Sequence, residues 1–340
     1  PKDLGCFDLI EKELNEIGFN CERINYLNVE NLYATIGNSG KLFCFLGHTD
    51  VVPSGPEENW KYPPFSATIE DDFLYGRGVA DMKGSVAAFI EASKDFLNSL
   101  NNLNFRLAIL LTSNEEGTSK DGFIDKIIQN MIKDDEIIDF CLVGEPTSNI
   151  KVADCARIGR RGSLGGHLRI YGKQGHIAYP DKIINPIFKS GDLISKLNTK
   201  IWDKGNEAFD PTSFQISNIK SGTGAHNVVP GELELTFNFR FSPESSEKSL
   251  KLEFESLLNE LDIKYDIVWD LNGTPYYTKN GLFRSIVSDS VKEITGYAPE
   301  LNAKGGTSDG RFVAKMNAEI VELGPVNQSI HQINEHIKIS

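Results

Sequence analysis

Three continuous apolar runs, separated by stretches of helical spacing, constrain what this chain can fold into more than any other feature. They are LFCFLG (Leu42 to Gly47), FRLAILLTS (Phe105 to Ser113) and DFCLVGEP (Asp139 to Pro146), with helical patterns at 84–100 and 122–132 between them. Runs of that length without polar alternation are strands covered on both faces. Their alternation with helices predicts a largely parallel, doubly covered α/β sheet. An amphipathic helix is expected ahead of them, with Leu4, Phe7, Leu14 and Ile17 on one face and Gly18 as its stop.

From about Gly162 the pattern changes. ELELTFNFRF (Glu232 to Phe241) alternates strictly, so Leu233, Leu235, Phe237 and Phe239 share one face of a half-buried strand in an open antiparallel sheet. A second strand candidate at Ser163 to Gly172 and helical segments at Pro186 to Leu197 and Glu247 to Leu261 complete an α+β unit of roughly a hundred residues. After Pro275 a helix at Leu282 to Thr295 and a short strand at Glu319 to Leu323 return to the α/β pattern. The expected organisation is therefore one domain formed by 1–161 and 276–340, with a smaller domain, 162–275, inserted into it. A length of 340 residues suits two cores better than one.

Composition removes several classes of function. A net charge of −13 opposes nucleic acid and anionic membranes as partners, and an anionic substrate would need a local arginine cluster. No apolar run approaches the roughly 18 residues of a membrane span. The five cysteines are odd in number and never spaced as CxxC, which predicts reduced thiols rather than disulfides or a thiolate metal site. A soluble, cytoplasmic protein is expected, and the absence of an initial methionine suggests that residues preceding Pro1 are missing.

Polar residues that are costly to bury follow directly on the apolar runs. His48 and Asp50 follow the first, Glu115 and Glu116 the second, Glu145 the third, and Asp81 opens a glycine-rich turn before a helix. The carboxyl edge of an open α/β sheet is where ligands bind. Five carboxylates and an imidazole gathered there repel one another and lose hydration, so bound cations are needed to hold them together. Imidazole mixed with carboxylate suits zinc, cobalt or manganese, and the number of ligands favours two ions over one. On an extended segment His48 and Asp50 share a face, so Asp50 can accept the second ring N–H of a metal-bound His48. The adjacent Glu115 and Glu116 must diverge, one towards metal and the other towards a bound water. An isolated glutamate pair would be a solvated loop, but the buried strand before it reverses that expectation.

The motifs HTDVVP (His48 to Pro53), GRGVADMKG (Gly76 to Gly84), NEEG (Asn114 to Gly117) and GEPT (Gly144 to Thr147) together resemble the M20 family of two-metal peptidases and amidohydrolases. The resemblance spans nearly the whole chain. It implies a metallopeptidase-like catalytic domain with a mixed, mostly parallel sheet and an inserted α+β lid and dimerisation domain with an antiparallel sheet. It also implies that His48 and Glu145 bind one metal, Asp81 bridges, and Glu116 binds the second together with His331 of GPVNQSIHQINE. Glu115 is then the general base that activates a water held by two divalent ions, zinc or alternatively cobalt, while Asp50 supports His48. His176 of GHIAYP would stabilise the tetrahedral oxyanion from the partner subunit of a homodimer.

GRRGSLGG, GTGAHNVVPGELE and GGTSDGRF are similar to the branch of that family that removes succinate from an N-succinyl diamino acid. By that resemblance Arg160, Ser163, Asn227, Arg240, Gly306, Thr307 and Arg311 contact the substrate, the arginines because guanidinium forks match carboxylates. Ser308 could add a hydroxyl. The branch usually has two asparagines where this chain has His226 and Asn227, and a final helix beyond Ser340. N-acetylornithine deacetylation or another N-acyl amino-acid hydrolysis would keep every metal ligand and is the alternative. Dipeptide cleavage and a non-catalytic metal-binding role are further readings. Of the other histidines, His167 is expected to pack or face solvent and His336 to lie on the surface.

Overall fold

A computed structural model describes residues 3–100, 102–117 and 123–339. The chain forms two compact units: Pro1–Gly159 with Tyr277–Asn302 and Ser308–Ser340, and Arg160–Tyr276 with Ala303–Thr307.

The larger unit is built on an eight-stranded mixed sheet. Its four central strands, Arg106–Thr112, Leu42–His48, Phe140–Val143 and Glu319–Glu322, run parallel. Asn31–Ile36 and Asn20–Arg23 extend it antiparallel on one side, and Cys155–Arg157 and Glu300–Asn302 continue it on the other. Leu42, Leu46 and Leu107 to Leu111 are buried, as continuous apolar runs require. Helices Cys6–Glu16 and Gly84–Ser99 close one face through Phe7, Ile10, Leu14, Val86 and Ile90. Helix Phe123–Lys133 matches the expected pattern, whose first residue, Gly122, lies outside the described residues. Helix Leu282–Thr295 has the expected bounds.

The inserted unit is a four-stranded antiparallel sheet in the order Ser213–Ser221, Glu232–Phe241, Gly162–Tyr171, Lys264–Gly273. Alternation on Glu232–Phe241 buries Leu233, Leu235, Phe237, Phe239 and Phe241 against Leu193 and Leu197 of helix Pro186–Thr199 and Phe254 of helix Glu247–Glu260. Gly166 makes room for the Phe237 ring, since a Cβ there would lie 2.3 Å from it. The outer strands Ser213–Ser221 and Lys264–Gly273 were not anticipated, although Phe214 and Ile216 on the first and Tyr265, Ile267 and Trp269 on the second alternate and pack, partly buried, against this core. The division differs from 1–161 and 276–340 against 162–275 in that Arg160, Arg161, Tyr276 and Ala303–Thr307 cluster with the inserted unit. Arg160 holds Ala303–Thr307 there, donating from Nη1 to the carbonyls of Lys304 and Gly306 at 3.2 and 3.3 Å.

The thiols of Cys44, Cys141 and Cys155 are buried, and none of the five cysteines forms a disulfide. No helix among the described residues is long and apolar enough to cross a membrane.

Candidate active site

Each ligand candidate of the larger unit sits where a buried element ends. His48 is the last residue of its strand and is 1% exposed. Glu115 and Glu116 follow strand Arg106–Thr112, and Glu145 follows Phe140–Val143. Asp81 lies in an irregular turn before helix Gly84–Ser99, with φ −122° and ψ 90°, and its peptide bond to Met82 is cis. His331 comes from a distant turn and has φ 61°.

These residues converge on Asp81. His48 Nε2 lies 3.2 Å from Asp81 Oδ1 and 3.8 Å from Glu145 Oε1. His331 Nε2 lies 3.1 Å from Asp81 Oδ2 and 2.7 Å from Glu116 Oε1. The two oxygens of one carboxylate therefore face two different donor sets, His48 with Glu145 and His331 with Glu116. In each set the potential ligand atoms lie within 4.8 Å of one another. Oxygen and imidazole donors with one shared carboxylate fit two divalent cations.

Charge crowding shows in the acidities. Burial, followed by the charges of Asp309 and Glu116, pushes the Glu115 carboxyl up to about 8. Burial also raises Glu145 well above the usual carboxyl range and raises Glu116, with Asp81 adding to both. Burial alone would lower the His48 pKa; its hydrogen bond to Asp81 and the charges of Glu145 and Glu115 outweigh that and hold it well above its ordinary value. Cations would reverse the carboxyl shifts by favouring the ionised forms.

Asp50 departs from its expected part. The His48 Nδ1 atom lies 3.0 Å from the backbone carbonyl of Asp50 but 3.6 Å from its carboxylate. The Asp50 carboxylate instead accepts the backbone N–H groups of Glu115 and Glu116, at 3.0 and 2.9 Å. The strand ends at His48, so the shared-face rule for extended chain no longer holds two residues later. Asp50 thus orients the glutamate pair, and its backbone serves the imidazole. Among the described residues nothing hydrogen-bonds the Glu115 carboxylate, whereas the carboxylate of Glu116 is held by His331.

Sequence reasoning missed three buried carboxylates, Asp309, Glu322 and Glu335. Asp309 is 8% exposed and raises the Glu115 pKa. Glu335 is 0% exposed and accepts from the backbone of the Asp81 turn. The Ser308 hydroxyl is already engaged, donating to Glu322, whereas Arg311 is only partly so: its Nη1 donates to the Ser308 carbonyl at 2.9 Å, and its buried Nε has no partner among the described residues. His336 is no simple surface residue, because its ring packs 5.2 Å from Phe73 and 5.3 Å from Tyr75.

On the inserted unit, Ser163 pairs in register with Arg240. Burial, then the neighbouring charge of Arg161, lowers the Arg240 pKa, which marks a cationic patch. His176 and Val228 pair across a two-stranded ribbon, and the carbonyl of Asn227 accepts the Ile177 N–H at 3.2 Å, so His176 and Asn227 are neighbours. The exposed His176 ring accepts the Ala178 N–H at Nδ1, 3.1 Å away. That hydrogen bond leaves the ring proton on Nε2. Thr307 and Gly306 lie in the loop that Arg160 holds. His167 is exposed beside Thr236.

Residues 44–340 match the sequence profile of peptidase family M20/M25/M40. The chain belongs to this family. Two M20 relatives are the succinyl-diaminopimelate desuccinylases of Alkalilimnicola ehrlichii, 48% identical over 99% of this chain and 90% of that protein, and of Methylococcus capsulatus, 48% identical over 100% and 90%. Among solved structures, the M20 family metallo-carboxypeptidase Sso-CP2 from Sulfolobus solfataricus has a TM-score of 0.78 at 21% identity, covering 98% of this chain and 89% of that one. A dinuclear metal-binding M20 peptidase from Bacillus subtilis has a TM-score of 0.73 at 14% identity, covering 99% and 88%. These two show that the M20 fold is shared.

The crowded carboxyls give a pH prediction for the metal-free M20 protein. Glu115 has a folded pKa of about 8 against an ordinary 4.5, so the folded state binds more protons across that window. Stability should therefore fall as pH rises through it, and the raised His48 pKa acts in the same direction above 6.5. Without metal, Glu115→Gln should melt about 5 °C above wild type at about pH 8, with the gap closing towards about pH 5. Parallel melting curves across that range would show that Glu115 is not desolvated.

Proposed function

We propose that this protein hydrolyses N-succinyl-LL-2,6-diaminopimelate to LL-2,6-diaminopimelate and succinate, a step of diaminopimelate and lysine biosynthesis. The observation that carries the reading is the arrangement about Asp81, whose two oxygens face separate histidine-carboxylate sets, while Glu115, which accepts no hydrogen bond among the described residues, stands within 4.8 Å of His48 and Glu116. Relatives at 48% identity named for this reaction supply the substrate. A cytoplasmic setting suits such a biosynthetic substrate.

His48 and Glu145 would hold one ion and Glu116 and His331 the other, with Asp81 common to both. Zinc fits these donors, with cobalt as the alternative. Two bound ions supply Lewis acidity towards the amide carbonyl and lower the pKa of water. Glu115 takes the proton of the attacking water and returns it to the leaving amine as the C–N bond breaks, so no net proton is needed from solvent for this transfer. Asp50 keeps that glutamate in place through its backbone. Arg160 and Arg240 offer planar forks to the substrate's carboxylates, assisted by Ser163, Asn227, Gly306 and Thr307. Arg311, whose Nη1 donates to the Ser308 carbonyl while its Nε has no partner among the described residues, would join them.

A homodimer completes this reading, with His176 of one chain donating from Nε2 to the oxyanion formed in the other. Two features of the inserted unit support association: Phe188 is 76% exposed and Ile187 43% exposed, and strand Ser213–Ser221 is a sheet edge with unpaired backbone groups.

Substrate choice is tested by comparing kcat/KM for N-succinyl-LL-diaminopimelate, N-acetylornithine and simple dipeptides at fixed zinc. The succinyl substrate should lead by at least about a hundredfold, because an analogue without the second carboxylate forgoes its charge-assisted pairing with a guanidinium. A preference for N-acetylornithine would make the protein a deacetylase with the same metal ligands. Preference for a dipeptide would make it a peptidase.

A further inference from the structure

The turn that carries Asp81 cannot satisfy its own backbone. Gly78 has φ +85°, and Asp81 and Met82 have non-helical angles, so the amides before helix Gly84–Ser99 lack the acceptors a regular helix would supply. Glycine is required at position 78, where a Cβ would fall 2.3 Å from Val51. The missing acceptors come from one residue. Glu335 Oε1 accepts the N–H groups of Ala80 and Asp81 at 2.9 and 3.1 Å, and Oε2 accepts that of Gly78 at 3.1 Å. The Glu335 carbonyl accepts the Gly76 N–H at 2.9 Å. Arg77 balances the buried charge, donating from Nη1 to Oε2 at 2.7 Å, with its guanidinium carbon 5.1 Å over the Trp60 ring.

Glu335 stands four residues after His331, in a segment with few degrees of freedom. The Ser329 hydroxyl donates to the His336 carbonyl at 2.9 Å and accepts the His336 N–H at 3.1 Å, closing the chain around His331. Asn334 Oδ1 accepts the backbone N–H of Lys61 at 2.6 Å. A carboxylate fixed in this turn therefore grips the amide of the very residue that His331 faces.

We propose that Glu335 is a positioning residue of the metal centre, setting the bridging carboxylate of Asp81 against His331 through the backbone amides of residues 78, 80 and 81. This inference rests on the two-metal reading above. A bridging ligand tolerates little displacement, and groups that orient metal ligands commonly contribute tenfold to a hundredfold in affinity. A buried ion pair alone would explain Arg77 and Glu335 but not the three amides, and the two roles separate experimentally.

The experiment is a zinc titration of metal-free wild type, Glu335→Gln and Arg77→Lys against a competing chelator, with melting of each metal-free protein followed by circular dichroism. Glutamine keeps the shape of Glu335 but sets an NH2 group against donors, whereas lysine at 77 keeps the balancing charge. The second zinc ion should bind at least about tenfold more weakly to Glu335→Gln, and within about threefold of wild type to Arg77→Lys. Unchanged binding of both ions by Glu335→Gln, or equal weakening in the two variants, would overturn the inference. If Glu335→Gln is insoluble, Glu335→Asp, one methylene shorter, is judged by the same outcomes. Wild type that binds fewer than two zinc ions would overturn the two-metal reading and this inference with it. Two ions on wild type with an unaffected Glu335→Gln would remove the inference alone.

Discussion

Glu115→Gln is expected to lower kcat by about three orders of magnitude while the protein still takes up two zinc ions, and Glu116→Gln to lose the second ion instead. The neighbours differ in their surroundings. Asp50 receives both backbone N–H groups, which fixes the peptide between them, while a carboxylate oxygen of each glutamate lies within 4.8 Å of the other and of His48. The carboxylate of Glu116 reaches His331 Nε2 at 2.7 Å, as a ligand of the same ion would. Glu115 has burial and negative neighbours, which hold its proton up to about 8 until cations arrive. Glutamine preserves the volume of each residue but cannot take a proton, so at position 115 it removes the base and little else. Metal analysis beside single-turnover kinetics separates the outcomes. Equal loss of metal from both variants would show that the two glutamates share the ligand role.

The strands that build the site were legible because burial on both faces leaves a continuous apolar run, and the residues at their ends stood out by contrast. His48, Glu115, Glu116 and Glu145 are of this kind. Asp81 lies in an irregular turn with no periodicity and stood out through the glycine-rich turn before a helix, whereas only the resemblance of its motif pointed to His331. Asp50 shows the limit of local geometry: the residue was found, but its carboxylate serves amides 65 and 66 residues away rather than the imidazole two residues before it. Glu335 is one of 48 acidic residues, and its purpose appears only when the Asp81 turn, some 254 residues distant in sequence, is folded beneath it. Ser308 shows the converse, a hydroxyl well placed in sequence but already donated to a buried glutamate. The outer strands Ser213–Ser221 and Lys264–Gly273 went unread although Phe214 with Ile216 and Tyr265, Ile267 with Trp269 alternate along them, because their apolar face is only partly buried.

His176→Ala and Glu115→Ala homodimers are each expected to be nearly inactive, and mixing them should restore about a quarter of wild-type activity. The structure supplies a reason to look at His176. Its Nδ1 accepts the Ala178 N–H, so the neutral ring presents an Nε2–H suited to a developing oxyanion. It sits on a short ribbon with Val228, beside Asn227, in the inserted unit. If His176 serves the partner subunit's site, a closed two-fold dimer places each His176 opposite the Glu115 of the other chain. Random reassortment makes about half the dimers mixed, and in each of these one of two sites joins an intact Glu115 with an intact His176. Half of one half gives the quarter. Were His176 to act within its own chain, every site in a mixed dimer would lack one of the two groups. Subunit exchange must be confirmed independently, for instance by differently tagged chains co-purifying. Exchange without recovery of activity would refute the shared site and leave His176 to its own chain.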